Sequence, residues 1–113
     1  MTYERGQVVR VPFPFTDQQA SKNRPALVLS TARFNVGTAH LLLAMITSAK
    51  NPPWTFDCPL DDLHTAGLPA PSVVRMKLFT LDARLVRGAL GALALGDAAR
   101  VQACLAQILD LSP

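Results

Sequence analysis

Three short segments of this 113-residue chain carry side chains able to act on a phosphate. Arg24 stands directly before Pro25, where a polar stretch runs into the apolar run Pro25–Ser30. A guanidinium there can donate to two phosphate oxygens at once and stays charged across the physiological range. Thr47 and Ser48 follow the apolar run Leu41–Ile46, so this pair emerges where a buried strand leaves the core. A hydroxyl at such a point can fix a non-bridging oxygen. Arg75, Lys77 and Phe79 recur at every second residue of Val73–Leu81, which puts them on one face of a strand. Two cations and a ring on one face are what a single-stranded nucleic-acid surface uses. Each group also has a bland alternative. Arg24 can be a solvated arginine at a strand start, and Thr47 a strand-end threonine bonding its own backbone. The third face can be solvated, with Phe79 packed on a neighbour.

Other constellations are weaker. His40 enters a buried strand and His64 lies in an acidic helical turn, and nothing in the spacing brings them together as an acid–base pair. Asp57, Asp61, Asp62 and His64 have the donor types of a hard-metal site. The acids more simply favour the N-terminus of a short helix over Asp61–Gly67. No P-loop, GxSxG or zinc signature is present, so no metal ligand set or cofactor is assigned. Trp54, the sole tryptophan, follows Pro52-Pro53 and fits either an interaction surface or a buried core.

The elements that must position these groups read as follows. Val9, Val11, Phe13 and Phe15 alternate with Val8, Arg10, Pro12 and Pro14, a period of two that predicts a strand, with the prolines marking an edge or an end. Thr16 to Asn23 is polar and reads as a loop. Pro25–Ser30 and His40–Ile46 read as buried strands, with a helical turn in Thr31–Gly37 between them. Lys50–Pro53 reads as a turn, Trp54–Cys58 as a short strand, Val73–Leu81 as a long one and Leu85–Leu90 as another, turning at Gly91. Asp97 offers an N-cap, and Val101, Leu105, Ile108 and Leu109 form a helical stripe to the C-terminus. Strands without βαβ alternation, followed by a final helix, predict a small barrel or sandwich.

Length and composition agree with one domain over residues 1–113. Half of the residues are hydrophobic and 17% are charged, which argues against disorder. No apolar run approaches the ~20 residues of a membrane span, and Met1–Gly6 has no apolar segment of the signal-peptide kind. Cys58 and Cys104 stand in unrelated contexts and read as reduced thiols of a cytoplasmic protein. Eleven basic and eight acidic residues leave a net charge of +3, which permits a polyanionic partner without demanding one. The acids Asp57, Asp61 and Asp62 fall in a central stretch free of lysine and arginine, so the basic residues come from both ends.

Gly6-Gln-Val-Val-Arg-Val-Pro-Phe-Pro-Phe15, Asn23-Arg-Pro-Ala-Leu-Val-Leu-Ser30, Met45-Ile-Thr-Ser48 and Pro71-Ser-Val-Val-Arg75, the last leading into Leu78-Phe-Thr-Leu-Asp82, form a series. In order and spacing it resembles the MazF/PemK family, the toxins of type II toxin–antitoxin systems, over essentially the whole chain. The resemblance implies a mainly β fold with α, an SH3-like barrel of the MazF/PemK/CcdB type with a C-terminal helix. It implies a homodimeric, metal-independent endoribonuclease that cuts single-stranded RNA, and an antitoxin that lays an extended acidic segment over the RNA groove. Arg24 matches the family's loop-end arginine at the active site, Thr47 its catalytic threonine and Arg75 an arginine that is catalytic in some relatives, which makes these three the catalytic candidates. Lys22, Ser48, Lys77 and Phe79 become candidate RNA contacts. Some relatives carry an aspartate two residues after the arginine matched by Arg75, where this chain has Lys77, so no general base carries over. Asp82, the nearest carboxylate, fits better as a cap on the turn into Ala83-Arg84. Two other readings stand beside this one. Same-fold toxins that poison gyrase end in Trp-Gly-Ile, whereas this chain ends Leu109-Asp-Leu-Ser-Pro113. A non-catalytic RNA- or protein-binding module is the other.

Overall fold

Apolar alternation along the chain resolves into one curled sheet. The computed structural model describes residues 2–12 and 22–111. Among them, β1 (Gln7–Pro12), β2 (Asn23–Val28), β3 (His40–Ser48), β4 (Cys58–Pro59), β5 (Ser72–Asp82) and β6 (Ala89–Ala92) pair antiparallel in the order β4-β5-β3-β2-β1-β6. Helix α1 (Ala32–Thr38) links β2 to β3, α2 (Leu63–Ala66) follows β4, and α3 (Leu95–Leu109) ends the chain. The result is mainly β, a half-barrel with a C-terminal helix against it.

The central strands are buried on both faces, which explains their nearly continuous apolar runs. Val8, Leu27, Ala44, Ile46 and Val74 join Ala66, Leu68 and Val101 from the helical side in one core. Val9, Val11, Ala26, Val28, Leu41, Leu43, Phe79 and Leu81 form a second core. Strand alternation sends these two sets to opposite faces. Each fully buried Val or Leu contributes roughly 1.5–3 kcal/mol, so this doubly packed centre is the stable frame.

The open side is bridged by α2. A Cβ on Gly67 would lie 2.0 Å from the Leu90 carbonyl oxygen, and one on Gly91 would lie 2.4 Å from the Thr65 carbonyl oxygen. Two bare backbones therefore let the end of α2 touch β6. Gly67 also takes the left-handed conformation (φ 75°) that ends α2, with its N–H donating to His64 O.

Several boundaries differ from the sequence reading. β1 ends at Pro12, and Phe13 and Phe15 lie outside the described residues, as does most of the Thr16–Asn23 loop. Trp54–Asp57 is a turn, and the short strand begins only at Cys58. Leu85–Leu90 is not one strand: a 3₁₀ turn covers Ala83–Leu85 and β6 begins at Ala89. Asp97 is not the N-cap of α3. Ala94 holds that position, and the Asp97 carboxylate is buried in the first turn, accepting from the Asp61 and Asp62 N–H groups and from Arg100. The stripe of α3 divides: Val101 and Leu105 pack on the first core, while Ile108 and Leu109 are exposed. No helix among the described residues is long and apolar enough to cross a membrane.

Candidate functional site

The site begins where two central strands part. β2 and β3 pair from Val28↔Leu43 to Ala26↔Met45. Beyond that point β3 continues against β5 through Thr47↔Val73 and Ser48↔Ser72, while Arg24 and Pro25 continue against β1. Pro25 suits this divergence, because a residue with no N–H to give is tolerated where no β3 partner faces it. The gap is a cleft of about 410 Å³ lined by Arg24, Pro25, Ile46, Thr47, Ser48 and Asn51. Its far wall is the segment Leu68–Ser72.

Arg24 is the one charged side chain among the described lining residues. It is half-buried, and its Nε is buried with no hydrogen-bond partner among the described residues. A buried donor left unmade costs free energy, so an anion in the cleft would satisfy it. Thr47 is 8% exposed, and its Oγ1 accepts a 2.6 Å hydrogen bond from Asn51 Nδ2. That bond occupies a lone pair and leaves the hydroxyl proton to donate elsewhere. It is not the bond to its own backbone that a strand-end threonine would make. Ser48 is exposed, with its Oγ accepting from the Lys50 N–H. Lys22 is exposed just before β2.

Arg75 does not line this cleft. It is 7% exposed and gripped by Asp57: Nε donates to Oδ1 at 3.1 Å and Nη2 to Oδ2 at 2.9 Å. Nη2 also donates to Pro52 O at 2.8 Å. Burial alone would raise the Asp57 carboxyl, but the hydrogen bonds from Arg75 and Trp54 outweigh it and hold the group below its ordinary value. Asp57 in turn raises the Arg75 guanidinium, which stays charged. The expectation of an open face carrying Arg75, Lys77 and Phe79 is corrected here. Phe79 is a member of the second core, and Arg75 faces a carboxylate. Two extra residues on β5, Met76 and Lys77, bulge between the pairs Arg75↔Met45 and Leu78↔Ala44. Lys77 Nζ lies 5.9 Å and Arg75 Cζ 5.0 Å from the centre of the Trp54 ring.

The carboxylates suggested as metal donors have other work. Asp57 holds Arg75, and Asp62 caps α2 by accepting from the N–H and hydroxyl of Thr65. Asp82 caps the 3₁₀ turn and pairs with Arg84, as its sequence context predicts. His40 bonds to Thr38 O, remote in sequence from His64 on α2. Cys58 and Cys104 are free thiols.

Residues 4–109 match the sequence model of the family described as "PemK-like, MazF-like toxin of type II toxin-antitoxin system". The chain belongs to this PemK/MazF toxin family. Among solved structures, it is similar to MazF from Deinococcus radiodurans, with 26% identity and a TM-score of 0.77. That match covers 98% of this chain and 99% of the other. A MazE-MazF complex from the same organism matches at 25% identity and TM-score 0.77, covering 99% of each chain. A mycobacterial endoribonuclease in complex with its cognate antitoxin shares the fold, at 19% identity, TM-score 0.77 and 98% coverage of both chains. None of the curated protein sequences matches the chain significantly.

Two residues of the candidate site escaped the sequence reading. Asn51 was readable only as part of a turn, yet the turn, closed by Asn51 N–H to Ser48 O, folds its amide back onto Thr47. Asp57 looked like one acid in a run of three, and nothing in the spacing of 18 residues announced its pairing with Arg75.

Proposed function

We propose that this PemK/MazF-family chain is a sequence-selective endoribonuclease that cuts single-stranded RNA through attack by the RNA's own 2′-hydroxyl, without a metal ion. The observation that carries the reading is the convergence of Arg24 and Thr47 on one cleft, with a buried guanidinium N–H left unpartnered among the described residues. In this reaction the 2′-hydroxyl gives up its proton to water as its oxygen bonds to phosphorus. The bond from phosphorus to the 5′-oxygen breaks as that oxygen takes a proton from water, and the non-bridging oxygens gain negative charge on the way. Arg24 stabilises that charge, as a preorganised donor in a partly dry site does most effectively. Thr47, with one lone pair occupied by Asn51, donates a hydrogen bond to a non-bridging oxygen. Arg75 acts indirectly, by fixing the loop that carries Asn51 through Pro52 and Asp57. Lys22, Ser48 and Lys77 supply further polar contacts to the strand. The described residues lining the cleft include no carboxylate or imidazole, so their contribution is charge stabilisation and orientation.

The same reading makes the protein a cytoplasmic, single-domain toxin that works as a homodimer. An antitoxin would silence it by laying an extended acidic segment where the RNA backbone runs, exploiting the same cations. Incubating the full chain with a long single-stranded RNA in EDTA tests the chemistry. The reading predicts cuts at a recurring short sequence, leaving a 2′,3′-cyclic phosphate and a 5′-hydroxyl. Products with a 5′-phosphate, or no cutting by folded protein, would contradict it.

A further inference from the structure

The turn between β3 and β4 displays two large aromatic rings to solvent. Trp54 is 46% exposed and Phe56 is 44% exposed. Phe56 adopts a left-handed backbone (φ 71°), which is costly for a residue with a Cβ. The turn is held in that shape from both ends: the Trp54 N–H donates to Asp57 Oδ2 at 2.9 Å and the Asp57 N–H to Trp54 O at 3.2 Å. Asp57 itself is clamped by the buried Arg75. A rigid frame thus holds both rings with nearly half of their surface open to solvent, even though Arg75 and Lys77 lie over the Trp54 ring.

Charge and position identify its chemistry. Arg75, itself paired with Asp57, and Lys77 lie over the Trp54 ring. The same loop is tied to the cleft: Asn51 donates to Thr47 and Arg75 donates to Pro52 O. From Asn51 to Trp54 is three peptide units, at most roughly 11 Å. An aromatic platform among cations, continuous with a phosphate-binding cleft, is the arrangement that holds unpaired bases of a single strand. We infer that Trp54 and Phe56 form a base-stacking subsite for a nucleotide flanking the one held by Arg24 and Thr47. This rests on the ribonuclease reading above and adds to it a determinant of where the strand is gripped. An acidic protein segment seated on the same rings is the competing occupant, and the test separates the two.

Trp54 is the sole tryptophan, so its emission reports this position alone. The full chain is titrated with a short random-sequence single-stranded RNA, 2′-O-methylated to prevent cleavage, while anisotropy of a label on the RNA reports binding independently. The expected result is quenching of the indole that saturates together with anisotropy. An abasic backbone of equal length should bind without quenching. Trp54→Ala should weaken RNA binding by about tenfold or more, and Trp54→Phe, which keeps a ring, should restore most of it. Phe56→Ala, read by RNA anisotropy and by emission of the intact Trp54, should weaken binding in the same direction. Binding by anisotropy with an unchanged indole would overturn the subsite and leave the ribonuclease reading standing. No binding at all would overturn both. Quenching by an acidic peptide but not by RNA would make the pair a protein-docking surface and also overturn the inference.

Discussion

Thr47 and Asn51 set the directionality of a single proton. With the Asn51 amide donating to Oγ1 at 2.6 Å, the threonine hydroxyl proton is left for another acceptor. Asn51→Ala should lower kcat about tenfold with little change in KM, the worth of one neutral hydrogen bond. Asn51→Asp should lower it further, because a carboxylate would draw the hydroxyl proton toward itself. Steady-state cleavage of a short RNA by the two variants checks the ranking. If Asn51→Asp is as active as the wild type, the hydroxyl's orientation has no part in the chemistry. The placement of Arg24 and Thr47 at strand ends was legible beforehand, because each lies where an apolar run meets a polar one. Asn51 and Asp57 were not, because their partners are set by a loop conformation that periodicity does not encode. Phe79 shows the opposite failure. Alternation correctly put it on the face of Arg75, but alternation cannot tell a solvated face from one covered by a second core.

At the scale of elements, the loop from β3 to β4 depends on a buried ion pair. Arg75 and Asp57 side chains are 8% and 11% exposed, and removing one partner strands the other charge, at a cost of roughly 3 kcal/mol. The sign of its pH dependence follows from the lowered Asp57 carboxyl. A carboxylate whose folded value lies below its unfolded value stabilises the protein fully above the unfolded value. That stabilisation is lost as pH falls through the folded one. The stability difference between wild type and Asp57→Asn should therefore be constant near neutrality and shrink in acid. Thermal unfolding of both proteins across pH checks it; a gap that widens in acid would contradict the pairing. The closure of the half-barrel makes a second demand. Gly91→Ala would push a methyl against the Thr65 carbonyl, 2.4 Å away, and should destabilise by more than about 2 kcal/mol in a denaturant titration. The strands, the half-barrel and the final helix were readable from period and order. The short elements β4, the 3₁₀ turn and β6 were displaced in the reading, because their boundaries are set by contacts with α2 and β1 rather than by local pattern.

Over the whole molecule the net charge is only +3, so the proposed attraction for RNA must come from where cations converge rather than from overall charge. Binding to single-stranded RNA should weaken linearly in log K against log salt. Because each neutralised phosphate contributes a slope of about −0.7, Arg24→Ala should flatten the slope by about that amount. An unchanged slope would mean that Arg24 touches no phosphate. The family assignment spans residues 4–109, and the splayed β2 and β3 ends form the candidate site. The most direct test is single-turnover cleavage of a long single-stranded RNA in EDTA by wild type, Arg24→Ala and Arg24→Lys, with circular dichroism confirming each fold. Losing one preorganised charge stabiliser should slow Arg24→Ala by about 10²–10³-fold, with Arg24→Lys in between because it keeps the charge but not the fork. Folded Arg24→Ala cutting at the wild-type rate would contradict the account.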